Sequence, residues 1–280
     1  MDVEFPIGRG LCCRIVERPG EWMPDRELAA LTAELRLVAA AAVRDGTLAY
    51  GALTGDRAQL DRSIITLVYD TGTRRPLAFS AMVLLPVTLK SAAREVLHLG
   101  LTLVHPDERG RNLSRSVYGS TMLLIYLRQW LRPLWVTNVS QVPSAIGSFA
   151  TYFDAAYPGL GPDRRTPAHY AIVEQLMTRY RSAFGVGADA EFDVATFVIR
   201  NAYTGGSDNL KKSFAEATRH RRSSYGRLCF TALDYERGDD FLQVGRYSAF
   251  VALRCLVRRL RHWLSGLRHR PEPGHLGYPA

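Results

Sequence analysis

Cysteine is scarce in this 280-residue chain, and the four present (Cys12, Cys13, Cys229 and Cys255) show no CxxC spacing. Since no histidine cluster accompanies them, the sequence predicts neither a structural zinc site nor any other metal site. So few cysteines in a chain of this length fit a reducing compartment, and we expect a cytoplasmic protein.

Long apolar runs are absent as well. The longest, LVAAAAV and MVLLPV, are too short to span a bilayer, and the opening MDVEFPIGRGLCC lacks the apolar stretch of a signal peptide. We therefore expect no membrane-spanning helix. With 47% hydrophobic and 22% charged residues, the composition is typical of a soluble globular chain that buries a sizeable core.

Acidic residues are outnumbered, because 36 Lys+Arg stand against 27 Asp+Glu, a net charge of +9. Nearly all of the basic residues are arginines, whose planar guanidinium suits bidentate contacts with phosphate or carboxylate groups. An anionic ligand, a nucleic acid or an acidic membrane surface would each account for the excess. Composition alone does not choose among them.

Helix and strand patterns alternate over residues 1–158. Hydrophobic spacing and turn residues predict a helix at 24–46, a strand hairpin at 63–70 and 77–87, a strand at 95–104, a helix at 113–131, a strand at 134–139 and a helix at 144–157. This order predicts an α/β (α+β) architecture, with a mixed central sheet flanked by helices.

The patterns are looser after residue 159. They predict a helix at 171–184, a strand at 192–203, a basic helix at 209–224 and closing strands at 226–235 and 240–248. We expect residues 159–248 to be an extension of a 1–158 core that completes the sheet and covers the acceptor side of a site.

The stretch HPDERGRNLSRS, residues 105–116, joins a predicted strand to a predicted helix. The first turn of a helix presents unpaired backbone amides and the positive end of the helix dipole. Arg109 and Arg111 add positive charge, Gly110 permits close approach of a ligand, and Asn112 tolerates left-handed backbone angles. An ordinary solvated turn has the same composition, but the position between strand and helix favours a pyrophosphate site.

LTLVHPDERGRNLS resembles the signature of the GNAT acyltransferase superfamily, in which a strand, a proline and Arg/Gln-x-x-Gly-x-Gly/Ala lead into a helix. The order of elements over residues 25–158 is similar too, although Asn112 and Ser114 stand where that signature has small residues. The resemblance implies that acyl-CoA, in particular acetyl-CoA, is bound as co-substrate. The residues implied to bind it are Leu103, Val104, Arg109, Gly110, Arg111, Asn112, Leu113, Ser114 and Arg115.

The resemblance also implies direct attack of an amine on the thioester, which requires a base and an acid but no protein nucleophile. His98 is the candidate base, since the ordinary histidine pKa of about 6.5 suits this role, and Glu95 is the second. In this family the acid is often a tyrosine in the helix after the next strand. Phe149 occupies that position here, which leaves Tyr152 and Tyr157 as candidates. Each of these side chains can equally be structural.

The sequence therefore predicts an N-acyltransferase that moves an acyl group, in particular acetyl, from acyl-CoA to an amine, with a small metabolite as the expected acceptor. An acyl carrier protein is an alternative donor. The alternative function is a non-catalytic GNAT-like module that binds CoA or a partner and lies on a membrane surface.

That alternative depends on FVALRCLVRRLRHWLSGLRHR, residues 250–270, a basic amphipathic pattern that suits a membrane surface, a partner or packing on the body. We expect residues 271–280 to be a disordered tail. RHRRSS (219–224) is interpreted as a solvated helix end, and no nucleic-acid partner is expected. Asp239 and Asp240 are interpreted as structural turn residues or, alternatively, as ligands of an amine.

Overall fold

A computed structural model describes residues 1–8, 10–43, 48, 51–205, 207–254 and 257. Its strands are β1 (Asp2–Gly8), β2 (Leu11–Glu17), β3 (Ser63–Asp70), β4 (Pro76–Leu89), β5 (Ala92–His98), β6 (Thr102–Val104), β7 (Leu134–Ser140), β8 (Asp154–Tyr157), β9 (Glu191–Asp193), β10 (Val198–Arg200) and β11 (Asp240–Tyr247). Its α-helices are α1 (Pro19–Trp22), α2 (Asp25–Ala42), α3 (Arg57–Leu60), α4 (Leu113–Arg128), α5 (Pro143–Tyr152), α6 (Pro167–Arg179) and α7 (Ser223–Ala232).

The strands form one mixed sheet in the order β1-β2-β3-β4-β5-β7-β11-β10-β9, with β6 beside β4 and β8 beside β11. β5 and β7 run parallel, because α4 returns the chain between them, whereas the other recorded strand pairs are antiparallel. The predicted mixed central sheet with flanking helices is confirmed.

Helices cover both faces of the sheet. α2 packs on β3 and β4 through Leu31 and Leu35, and α6 packs on the same face further along through Leu176. α4 and α5 cover the opposite face, where Ile125 and Phe149 join one core cluster. Because side chains alternate along each strand, successive strand residues contribute to different layers.

The first half departs from the predicted elements in several places, and the short helices α1 and α3 were not predicted. The expected strand at 95–104 is divided into β5 and β6, and the expected helix at 144–157 ends at Tyr152, after which the chain forms β8. The β1–β2 hairpin was not predicted, because the edge strand β1 alternates only between half-buried and exposed side chains. The other predicted helices and strands of this half are confirmed to within a few residues at their ends.

The second half departs further. The expected strand at 192–203 is two short strands, because the Asp193 carboxylate accepts the Ala195 amide and turns the chain. The expected basic helix at 209–224 is wrong: apart from a short 3-10 turn and the first residues of α7, that stretch is irregular. The expected strand at 226–235 is also wrong, since its first residues belong to α7.

Residues 249–254 continue from β11 as the start of a helix. Most of the predicted amphipathic helix at 250–270 and the predicted tail at 271–280 lie outside the described residues. In the part of the chain that is described, no helix is both long and apolar enough to cross a membrane.

Candidate functional site

β5 and β7 separate at their carboxyl ends. The pairing runs to His98 opposite Thr137 and closes with the Leu99 amide, which donates to the Thr137 carbonyl oxygen at 2.8 Å. Beyond that bond β6 pairs with β4, while the end of β7 pairs with β11. Among the described residues, no strand joins the facing edges of Thr102–Val104 and 138–140. The two edges border a wedge-shaped opening, which we call the wedge, and the residues along both edges are half-buried.

A kink at Gly100 produces the separation. The Gly100 amide donates to the His98 carbonyl oxygen at 3.0 Å, and pairing with β4 resumes where the Ala81 amide donates to the Leu101 carbonyl oxygen. A Cβ atom on Gly100 would lie 2.1 Å from the Ala81 carbonyl oxygen. Only glycine fits so close to the neighbouring strand.

The loop from β6 to α4 leaves backbone donors open only near the start of the helix, since the Glu108, Arg109 and Arg111 amides are bonded within the loop. Gly110 has φ of 84° and Asn112 has φ of 59°, so both lie in the left-handed region, as the sequence indicated for Asn112. Asn112 precedes the first residue of α4, and no side chain caps the amides of the first helical turn. Unpaired amides at a helix start bind anions well.

An acidic side chain in the same loop neutralises part of the loop's positive charge. Glu108 is buried and forms ion pairs with Arg111 and, at 3.1 Å, with Arg75. Arg109 is exposed and forms no ion pair with any described residue. Of these arginines, Arg109 is therefore the one whose charge is available to a ligand without breaking an ion pair.

The remaining predicted CoA-binding residues differ in what they expose. Leu103 and Val104 are half-buried. In the register with β4, the backbone groups of Leu103 point towards Phe79, whereas those of Val104 and of Thr102 point away from β4 into the wedge. Leu113 is buried among apolar residues, and only its backbone remains for a ligand. Ser114 is half-buried in the first turn of α4. The prediction for the Arg115 guanidinium lies outside the described side chains.

His98 stands where the wedge begins and is fully buried. Its Nδ1 lies 3.1 Å from the Thr137 Oγ1, and its ring centroid lies 4.8 Å from that of Phe184. Burial lowers the pKa of His98 to about 4, so the imidazole is neutral at pH 7. A neutral ring has a lone pair that can accept a proton, but its low basicity opposes that step.

The other predicted catalytic side chains are not brought to the wedge. Glu95 lies in the middle of β5, on the other face of the sheet from His98, in an ion pair with Arg18 at 2.5 Å. Tyr157 lies on β8, separated from β7 by β11, where burial raises the pKa of its phenol and its hydroxyl donates to a backbone carbonyl. Tyr152 is the last residue of α5. Phe149 is buried against Phe153.

A buried polar cluster lies at the same end of the sheet, and the sequence indicated only its two acidic residues, Asp239 and Asp240. Asp240 begins β11 beside the end of β7, and the Tyr203 hydroxyl donates to its Oδ1 at 3.0 Å. The side-chain amide of Gln141 lies 2.9 Å from that hydroxyl. Burial, with a smaller contribution from the charge of Asp239, raises the pKa of Asp240 to about 7.

Asp239 has a structural role. The Arg237 guanidinium donates two hydrogen bonds of 2.6 and 2.7 Å to its carboxylate, and the Asp234 amide donates to its Oδ2 at 3.2 Å. The adjacent acidic pair in the sequence was the signal for this cluster, but nothing local indicated which carboxylate is paired. Across the described residues, no group of three or more His, Cys, Asp or Glu side chains could hold a metal ion.

No protein-family model and no curated protein matches the chain. A ribosomal-protein-S5-alanine acetyltransferase from Vibrio fischeri is similar with a TM-score of 0.31 and 13% identity, over 49% of this chain and 74% of that chain. A tetramutant of the BH1408 protein from Bacillus halodurans gives a TM-score of 0.26 and 14% identity, over 42% and 76%. Similarity this low carries no argument about activity.

Proposed function

We propose that this chain is an acyltransferase that moves an acyl group, such as acetyl, from acyl-CoA to an amine acceptor. The observation that carries the proposal is the juxtaposition of two features at one end of the sheet. The wedge between β6 and β7 opens there, and the uncapped start of α4 follows β6 by one short loop.

The two features suit the two ends of the donor. Its pyrophosphate would bind the first-turn amides of α4 and the guanidinium of Arg109, where positive charge and open donors coincide. Its extended pantetheine arm would enter the wedge, lie along Leu103 and Val104, and bond to the backbone groups of Thr102 and Val104, which point away from β4. The loop has no bulky side chain at Gly110, which leaves room for this approach.

The transfer itself needs only positioning and proton movement. The amine nitrogen attacks the thioester carbonyl carbon, the carbon–sulfur bond breaks, and the nitrogen loses a proton while the CoA thiolate gains one. The candidate proton acceptors are His98, at the root of the wedge, and Asp240, at the start of β11 beside the end of β7. Of the two, Asp240 has the pKa suited to work near pH 7. Tyr152 and Tyr157, which the sequence predicts for the acid, lie away from the wedge, so the proposal assigns the acid to neither.

Residues 159–248 would shape the acceptor side, since α6 and β11 flank the wedge. We expect a small amine there. An acyl carrier protein is the alternative donor, because it presents the same phosphopantetheine arm.

The experiment is calorimetric titration of the full chain with CoA, followed by thiol release from acetyl-CoA in the presence of a panel of amines. Arg109→Ala should weaken CoA binding by about tenfold, because a charge-assisted contact is lost. Arg26→Ala, an exposed arginine on α2, is the control. CoA binding without thiol release from any donor would favour the non-catalytic module, and the absence of CoA binding would refute both.

A further inference from the structure

Large apolar side chains are exposed at the end of the sheet opposite the wedge. On the last turn of α4 and just after it, Leu127, Trp130 and Leu131 are exposed by 56%, 87% and 56%. A tryptophan this exposed is unusual, because burying its large apolar surface normally stabilises a fold.

The chain that leaves β11 brings a second apolar group to the same place. Tyr247 pairs with Leu134, which sets residues 248–254 beside the turn between α4 and β7. There Phe250, Leu253 and Val257 are exposed by 65%, 58% and 36%. We call the six exposed side chains of these two groups the Trp130 edge.

The backbone of that turn is held in a strained form. Trp130 and Leu131 are consecutive residues with φ of 56° and 59°, a region that large side chains avoid. Their amides donate to the Leu127 and Tyr126 carbonyl oxygens, which fixes the turn. Strain of this kind is retained at functional sites more often than elsewhere, and here it points two apolar side chains into solvent.

The sequence around the Trp130 edge is rich in positive charge. Between residues 249 and 270 the sequence has six arginines and no acidic residue. Arg132 is exposed beside Leu131, whereas Arg128 is already paired with Glu17. A binding partner of this surface must therefore offer an apolar region to the exposed side chains and anionic groups to the arginines.

We propose that the Trp130 edge docks on the surface of an anionic lipid bilayer. The apolar side chains would enter the boundary between head groups and acyl chains, while the arginines bind the head-group phosphates. A second copy of the chain fits poorly, because it would set one arginine-rich segment against another. The wedge lies at the other end of β7, so a docked molecule keeps it open to solvent.

The test is flotation of the full chain with vesicles of phosphatidylcholine alone and with vesicles that also contain phosphatidylglycerol. We expect binding to the anionic vesicles only, and release by added salt, which screens the charges. Trp130→Ser combined with Leu131→Ser should lower vesicle affinity by about tenfold or more, since two inserted side chains are lost. Phe250→Ser with Leu253→Ser should act in the same direction.

Leu37→Ser is the matched control, because Leu37 is 63% exposed on α2, away from the Trp130 edge. It should leave vesicle binding unchanged, and unfolding curves should show that each variant is folded. Failure of the full chain to bind anionic vesicles would overturn the proposal. So would equal binding by the Trp130 and Leu131 double variant, or a dimer in sedimentation that this variant abolishes.

Discussion

At Gly100 the chain passes so close to β4 that an added Cβ atom would lie 2.1 Å from the Ala81 carbonyl oxygen. A backbone oxygen cannot swing aside as the end of a flexible side chain can. Any other residue must therefore push β6 away from β4 or remove the kink. The divergence of β6 from β7 depends on this one missing side chain.

Gly100→Ala should lower the free energy of unfolding by about 2–4 kcal/mol, because the strands must separate to admit the methyl group. It should also weaken CoA binding, since the wall of the wedge moves. Gly119→Ala on α4 is the matched control, because nothing lies within 4 Å of its added Cβ. We expect that variant to gain about 0.5–1 kcal/mol. Urea unfolding measures both, and equal losses would contradict the assignment.

The element that presents the site is α4, and Asn112 decides how it begins. Asn112 has φ of 59° and ψ of 27°, angles that asparagine and glycine tolerate and β-branched residues do not. Its carbonyl oxygen accepts the Ser116 amide, so the left-handed residue also starts the hydrogen bonding of the helix. Asn112 thus satisfies a backbone requirement that glycine would satisfy as well.

Asn112→Val should destabilise the protein by about 1–2 kcal/mol, because valine resists these angles. Asn112→Gly should retain stability to within about 1 kcal/mol and should bind CoA at least as tightly as the natural chain, since the loop keeps its shape and loses a side chain. Thermal unfolding and calorimetry check the pair. Tighter CoA binding by the valine variant would be inconsistent with a backbone-lined phosphate site.

Local periodicity was enough to predict the elements with long, regular patterns. α2, α4, β3, β4 and β7 follow the hydrophobic spacing closely, because each packs one defined face on the core. α7 was mistaken for a strand, although its buried Tyr225 and Cys229 are spaced as on a helix. The break at Gly100 could not be predicted, because it depends on contact with Ala81 in another strand.

The candidate site likewise combines features that follow from the local sequence with features that depend on distant contacts. The loop conformation at Gly110 and Asn112 follows from the residues themselves, so it could be predicted. The ion pair between Arg75 and Glu108 joins residues 33 positions apart, and the Tyr203–Asp240 hydrogen bond spans 37. Such partners are set by which strands and loops meet in the folded chain, which the sequence pattern did not specify.

At the scale of the whole molecule, two buried groups shift stability in opposite directions over the same range of pH. The folded state keeps Asp240 protonated up to about pH 7, whereas the unfolded chain releases that proton near 3.8. Asp240 therefore reduces stability as pH rises from about 4 to 7. His98, with its pKa lowered from 6.5 to about 4, takes up a proton more readily when unfolded. It therefore reduces stability as pH falls from about 6.5 to 4.

The two contributions are similar in size, about 4 kcal/mol for Asp240 and about 3 kcal/mol for His98, so they largely offset each other in the natural chain. Asp240→Asn should remove the Asp240 contribution, so that only that of His98 remains. The free energy of unfolding should then rise relative to the natural chain as pH rises from about 4 to 7. His98→Gln should do the opposite, and the double variant should follow the natural chain in slope. Urea unfolding across this range of pH measures these changes. Comparing each variant with the natural chain at the same pH cancels the effect of the overall +9 charge. Slopes of the same sign in the two single variants would contradict the assignment, because only groups shifted in opposite directions can offset each other.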